Sequence, residues 1–270
     1  MGADVLYGIE NIVASQYDDT LQTDGNSNTV RAGGGNDILT LSSDGIWASG
    51  YVAANQGLPG SAATGQQVSI EGKVRFADVL DGGEGTADTL RLTSGHDAFF
   101  LHDAYSLFNT DAVLANDARG MASSARVIGI EVIMGGAGDD IIDLTSTDYT
   151  IGGVRIDSGS GNDVLWGNAG NDVLQGGKGN DTLFGGSGTN TLNGGEGADV
   201  FQYAKGGNAV DTIEDFEAGI DKMVLFGAAS TSEVTAALKV DHVTLTWDTQ
   251  TIELIGITST TGFGDWLQLA

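Results

Sequence analysis

Residues 158–202 read SGSGNDVLW, GNAGNDVLQ, GGKGNDTLF, GGSGTNTLN and GGEGADVFQ, five consecutive nonapeptides of the form G-G-x-G-x-D-x-U-x. The sixth position is Asp163, Asp172, Asp181, Asn190 and Asp199; the eighth is Leu165, Leu174, Leu183, Leu192 and Phe201. Glycine supplies the positive-φ conformations of a tight turn. Without side chains in the way, the turn carbonyls can close around an ion. The Asp carboxylate adds the hard, charged oxygen that Ca²⁺ takes. The next three residues read as a short strand whose middle, apolar side chain points inward. Two nonapeptides make one coil of a roll, and self-similarity at a fixed period is the mark of such architectures. Asp163, Asp181 and Asp199 then share one edge, and Asp172 and Asn190 the other. Asn190 lacks the charge, which predicts a weaker site there.

Fainter copies lie upstream. Asp19, Asn28 and Asp37 are again nine apart, with Leu21, Val30 and Leu39 two residues later. Further copies centre on Asp88, Asp97 and Asp140. At this point the sequence resembles the RTX (repeats-in-toxin) family. The resemblance implies a parallel β-roll that binds several Ca²⁺ ions between its turns. It also implies export through type I secretion machinery and folding in extracellular calcium.

Composition supports a cation-loaded fold. The chain has 270 residues and a net charge of −26, with 28 Asp against 9 Glu. Nucleic acid is excluded as a partner, since phosphate binding needs a basic face. No run of about 18 apolar residues is present to insert in a membrane. There is no Cys, which excludes disulfide scaffolds and Cys-ligated zinc. Apolar residues make up 40 %, too many for a disordered acidic tail. Bound cations would neutralise the carboxylates. The chain opens in mid-pattern with no signal peptide at Met1, which reads as a monomeric part of a larger chain.

Three segments are expected. Residues 1–157 hold degenerate repeats and a β-rich ligand-binding module, inserted in or preceding the roll, with non-repetitive stretches at about 42–80 and 98–133. Residues 158–202 form the calcium roll. Residues 203–270 form a cap of β-strands, with antiparallel pairing around a turn near Asp248–Gln250. The overall class is all-β. The D-F-x-x-G-x-D pattern at Asp215, Phe216, Gly219 and Asp221 resembles the segment that follows the roll in RTX proteins, and its acids are candidate ligands for one more Ca²⁺. The final GDWLQLA is a candidate part of a type I export signal, on position alone.

The region of about 40–166 is similar to the peptide-binding module near the C-terminus of large bacterial RTX adhesins. That likeness implies capture of short peptide ends on a host or neighbouring cell surface. A mechanism can be built from the residues. A Ca²⁺ ion with an open position binds a carboxylate, and an Arg fork adds a bidentate contact. Candidates are Asp97 and Asp103 for the ion and Arg91 or Arg126 for the fork. His102, Tyr105 and Phe108 would form an aromatic wall, completed by Trp47 and Tyr51. Phe99 reads as core. Six of the eleven basic residues lie between 73 and 155, which would favour an acidic ligand. There is no H-E-x-x-H and no G-x-S-x-G, so the segment is read as binding rather than catalytic. The alternatives are a secretion and folding tail with no ligand of its own, or a glycan-binding module. Long irregular stretches tend to be functional, which favours a ligand.

Overall fold

Each short strand of the repeat carries its eighth-position side chain inward, and coil after coil stacks these into one column. Leu165, Leu174, Leu183, Leu192 and Phe201 are fully buried. Each buried Leu contributes about 2 kcal/mol of apolar burial. The structure is a computed structural model and describes residues 10–48, 51–53, 67–101, 126–146 and 150–270.

Among the described residues the strands form two long, mostly parallel sheets facing each other across one core. An eleven-stranded sheet begins at Thr20–Gln22, Ile38–Thr40 and Thr89–Arg91, continues through Val132–Ala137, Arg155–Ser160, Val173–Lys178 and Gly188–Glu196, and passes on to Ala209–Ile213. A nine-stranded sheet runs from Gly45–Ile46 and Val74–Arg75 through Asp97–Phe100, Ile141–Asp143, Val164–Trp166, Thr182–Phe184, Val200–Ala204 and Lys222–Phe226 to Leu267–Leu269. Register is strict: Phe99, Ile142, Leu165 and Leu183 lie side by side in the inner row. The all-β, parallel-roll expectation is met.

A third, four-stranded sheet joins Asn11–Val13, Thr29–Arg31, Val79–Asp81 and Val127–Ile128. Between Val79 and Asp143 each coil therefore has three sides, visiting the four-, eleven- and nine-stranded sheets in turn. Beyond Asp143 the described strands belong to the two long sheets alone. The described parts of the irregular N-terminal region are thus coils of the roll itself. The parallel ladders cross residues 157/158 and 202/203 without a break.

The irregular stretches are expansions of single coils. Neighbouring rungs are 18 residues apart between Asp163 and Asp181. They are 51 apart between Asp37 and Asp88 and 43 apart between Asp97 and Asp140. Part of the first expansion folds back over the outer face of the nine-stranded sheet. There Trp47 and Ile70 cover Ala98, Phe100, Ile141, Trp166 and Phe184 in a second apolar cluster. Strand Asp97–Phe100 is consequently buried on both faces.

At the C-terminal end the parallel order gives way to antiparallel pairing. Gln250–Ile255 joins the eleven-stranded sheet beside Ala209–Ile213, and His242–Trp247 and Thr235–Leu238 follow it. Asp248, at φ 54°, makes the hairpin turn. A short helix, Phe263–Trp266, packs Trp266 on Phe216, and Leu267–Leu269 completes the nine-stranded sheet beside Lys222–Phe226. No helix among the described residues is long and apolar enough to cross a membrane.

Candidate metal centres along the roll

Two hydrogen-bond ladders of opposite direction tie the turns together. At the sixth position, each coil's N–H donates to the carboxylate of the next coil. Asp97 N donates to Asp140 Oδ1 at 2.8 Å, Asp140 N to Asp163 at 2.7 Å and Asp163 N to Asp181 at 2.8 Å. The chain of rungs continues with Asp181 N to Asp199 at 2.8 Å and Asp199 N to Asp221 at 2.9 Å. On the other edge Asp19 N donates to Asp37, Asp37 N to Asp88 and Asp88 N to Glu131 Oε2. Further along that edge, Val154 N donates to Asp172 and Asp172 N to Asn190.

At the fifth position the direction reverses. Asn162 N donates to Asp139 Oδ1, Asn180 N to Asn162 Oδ1 and Ala198 N to Asn180 Oδ1, at 2.8–2.9 Å. Thr86 N to Asn36 and Thr189 N to Asn171 repeat it on the opposite edge.

Five of these rungs consume one carboxylate oxygen and leave the other facing the turn. The Oδ2 atoms of Asp37, Asp88, Asp140, Asp163 and Asp181 are buried without a hydrogen-bond donor among the described residues. A bare buried carboxylate oxygen is costly unless a cation meets it. The glycines leave room on the same side: a Cβ built at Gly135 would lie 2.8 Å from both Asp140 Oδ2 and the Ser158 carbonyl oxygen. Carboxylate and carbonyl oxygens gathered around such a gap are the donor set of Ca²⁺. No group of three or more His, Cys, Asp or Glu side chains converges among the described residues, so main-chain oxygens complete any such set. Burial pushes the Asp140 carboxyl up to about 8, Asp181 up to about 7 and Asp199 up to about 6. Neighbouring carboxylates add to the shift, and the ladder N–H groups oppose it.

The other candidate ligands differ in surroundings. Asp172 Oδ2 accepts from Asn168 N at 3.0 Å. Asn190 Nδ2 donates to Asp211 Oδ1 at 2.8 Å, so an amide stands where other rungs hold a carboxylate. Asp19 is held by Ser15 N and Oγ. Asp215 receives Gly194 N and Gly195 N, and Asp221 continues the ladder while accepting from Glu217 N. The D-F-x-x-G-x-D segment is therefore a turn of the roll. Both oxygens of Asp97 are taken by Thr93, at 2.8 Å each. Three rungs escaped the sequence reading. Asp78, on the third side, accepts from Asn28 N at 2.8 Å, and Glu131 and Asp211 stand off the nine-residue register. The D-V-L-D at 78–81 was the one available signal.

Two expected ligand-capture residues are corrected. Arg126 is 2 % exposed. Its Nη1 donates to the Phe76 and Asp78 carbonyls, its Nη2 to Phe100 O at 2.6 Å, and it stacks over Phe99 at 4.8 Å. That guanidinium closes the expanded coil. Trp47 is buried edge-on against Phe100, ring centroids 6.5 Å apart. Arg91 is exposed on Thr89–Arg91. Tyr51 is placed by its backbone on strand Tyr51–Ala53, paired with Gln67–Ser69. His102, Asp103, Tyr105 and Phe108 lie outside the described residues.

Four stretches of the chain, residues 6–39, 128–146, 155–183 and 166–201, match the RTX calcium-binding nonapeptide repeat. The chain therefore carries an RTX repeat region, and calcium is its cofactor. Among curated proteins none matches. Among solved structures the chain is similar to the extracellular lipase LipA from Serratia marcescens, at 19% identity and a TM-score of 0.32, covering 99% of this chain and 41% of the lipase. It is also similar to the AlgE6R3 subunit of the Azotobacter vinelandii mannuronan C5-epimerase, at 22% identity and a TM-score of 0.22, covering 53% of this chain and 81% of that one. At these scores neither likeness bears on function.

Asp181→Ala, in the middle of the ladder, is expected to raise the calcium concentration at the folding midpoint about tenfold, the equivalent of ~1.4 kcal/mol. Asp241→Ala removes an exposed carboxylate bonded to the neighbouring His242 and should leave the midpoint unchanged. Calcium titrations followed by circular dichroism check both, and equal midpoints would count against the ladder as the calcium edge.

Proposed function

We propose that the chain is a calcium-dependent extracellular adhesion module that binds a peptide, by its C-terminal carboxylate, on another cell surface. Its role is binding, with no catalysis of its own. The supporting observation is where the roll expands. Two successive coils lengthen from 18 residues to 51 and 43. The flanks of both expansions meet around Phe100: Trp47 packs on its ring, Val68 borders the same cluster, and Arg126 binds its carbonyl. A roll that only folded and left the cell would have no use for such lengths at one place. Calcium rigidifies the coils that hold these flanks, which makes capture calcium-dependent. Of the two candidate guanidinium groups, Arg91 is the exposed one and can meet a carboxylate.

The test is an array of short peptides with free or amidated C-termini, probed with calcium-saturated protein and with an EGTA control. Capture that needs both calcium and the free carboxylate is the expected result, lost when residues 102–125 are replaced by a short Gly-Ser linker. Absence of binding to either form would remove the peptide reading and leave a glycan ligand or a folding and secretion tail.

A further inference from the structure

The nine-stranded sheet begins one coil before its first aspartate rung. Strand Val74–Arg75 pairs in parallel with Asp97–Phe100, Val74 level with Asp97. Lys73 therefore stands in the column that holds His96, Asp139, Asn162 and Asn180 in later coils. It is half-buried. Its Nζ reaches past His96 and donates to the main-chain carbonyl of Asp139, a turn oxygen of the G-G-A-G-D-D repeat. His96 Nδ1 accepts from Asp139 N at 2.6 Å in the same place.

The first turn also differs in chemistry from those that follow. It reads T-S-G-H-D at 93–97, with one glycine where the repeat has three. Thr93 satisfies both oxygens of Asp97, whereas the Oδ2 atoms of Asp140, Asp163 and Asp181 have no donor among the described residues. The ammonium comes from the coil before the glycine-poor turn and bonds to a carbonyl of the coil after it, so it spans the step at which the cradle is missing.

We propose that Lys73 is the resident cation of the step between the first two turns, so that the ladder opens on a tethered ammonium and only its later turns take calcium. An ammonium offers three donors and a compact charge, enough to serve carbonyl and carboxylate oxygens where ion coordination would need six or more. Burial lowers the Lys73 pKa, and Asp139, Asp140, Asp163 and Asp97 oppose that shift as anionic neighbours. The covalent cation needs no calcium in solution, so that step is charge-balanced before any ion binds.

Equilibrium dialysis against labelled calcium tests this on the full chain. Lys73→Met should need at least fivefold more free calcium for half-saturation than the wild type, with no added ion, since Thr93 still holds both Asp97 oxygens, and Lys73→Arg should keep the wild-type value. A half-saturation concentration unchanged in folded Lys73→Met protein overturns the proposal. A second measurement needs no variant. Acetic anhydride should modify Lys73 at least tenfold more slowly than Lys178, whose side chain is 69% exposed, in calcium-loaded protein. Equal rates overturn the proposal whether or not the variant folds.

Discussion

In calcium-free buffer at pH 7.5 the far-UV β signal of this protein is expected to collapse, and acidification toward pH 5 is expected to restore part of it. The first half follows from charge. The sixth-position carboxylates stack coil upon coil at the ~4.8 Å spacing of a sheet. Without an ion they repel, and the free energy of ion binding is then the folding free energy of the turns. The second half follows from the raised carboxyls. Asp199, Asp181 and Asp140 sit at about 6, 7 and 8 in the folded chain, against an ordinary 3.8. Between these values the calcium-free fold holds more protons than the unfolded chain, so its stability falls as pH rises. That contribution is complete below about pH 4 and gone above about pH 8. Calcium inverts the slope, because ions and protons compete for the same oxygens. Circular dichroism from pH 8 to 5, with and without calcium, measures both trends. A calcium-free spectrum at pH 7.5 that matched the loaded one would defeat the first, and a flat calcium-free profile the second.

Gly179→Ala is expected to lower Tm by about 10 °C in saturating calcium, some 3 kcal/mol at the few degrees per kcal/mol typical of a chain this size. Gly179 has φ +127°, and an added Cβ would run into the carbonyl of Gly161, one coil away. The strain and the clash act together, and the clash is with backbone that the ladders hold in place. Gly72 is the control. It also has a positive φ, +80°, but nothing lies within 4 Å of its missing Cβ. Gly72→Ala should cost about 1 kcal/mol, the conformational term alone. Thermal melts at one fixed calcium concentration compare them, since bound ligand moves Tm by mass action. Similar Tm values would mean that close approach of the turns contributes little.

The sixth and eighth positions were legible because both act through a strict period. One sets the ion-facing edge and the other the core, and neither depends on distant sequence. Phe99 was legible for the same reason. The third side of the coil was not, because Asp78 meets Asn28 across 50 residues, where no period survives. Trp47 and Arg126 misled for a related reason. Alternation along Asp97–Phe100 shows one face turned to the core, but it cannot show that the other face is also covered, and those two residues belong to the cover. The asparagines of the fifth position were visible as a repeated N-D pair, yet their role depends on the neighbouring coil's N–H, which only stacking supplies.

The opposed ladders also set the step by which such a chain can change length. A duplication of nine residues would carry every following strand to the opposite sheet and bring each Asp under the wrong edge. A duplication of eighteen restores both ladders, since each coil asks of its neighbour only what it offers in turn. Unequal recombination within this region is therefore neutral in frames of two repeats and disruptive in frames of one. Natural variants of the roll should differ by whole coils, with the expanded coils near Phe100 keeping their distance from the growing segment.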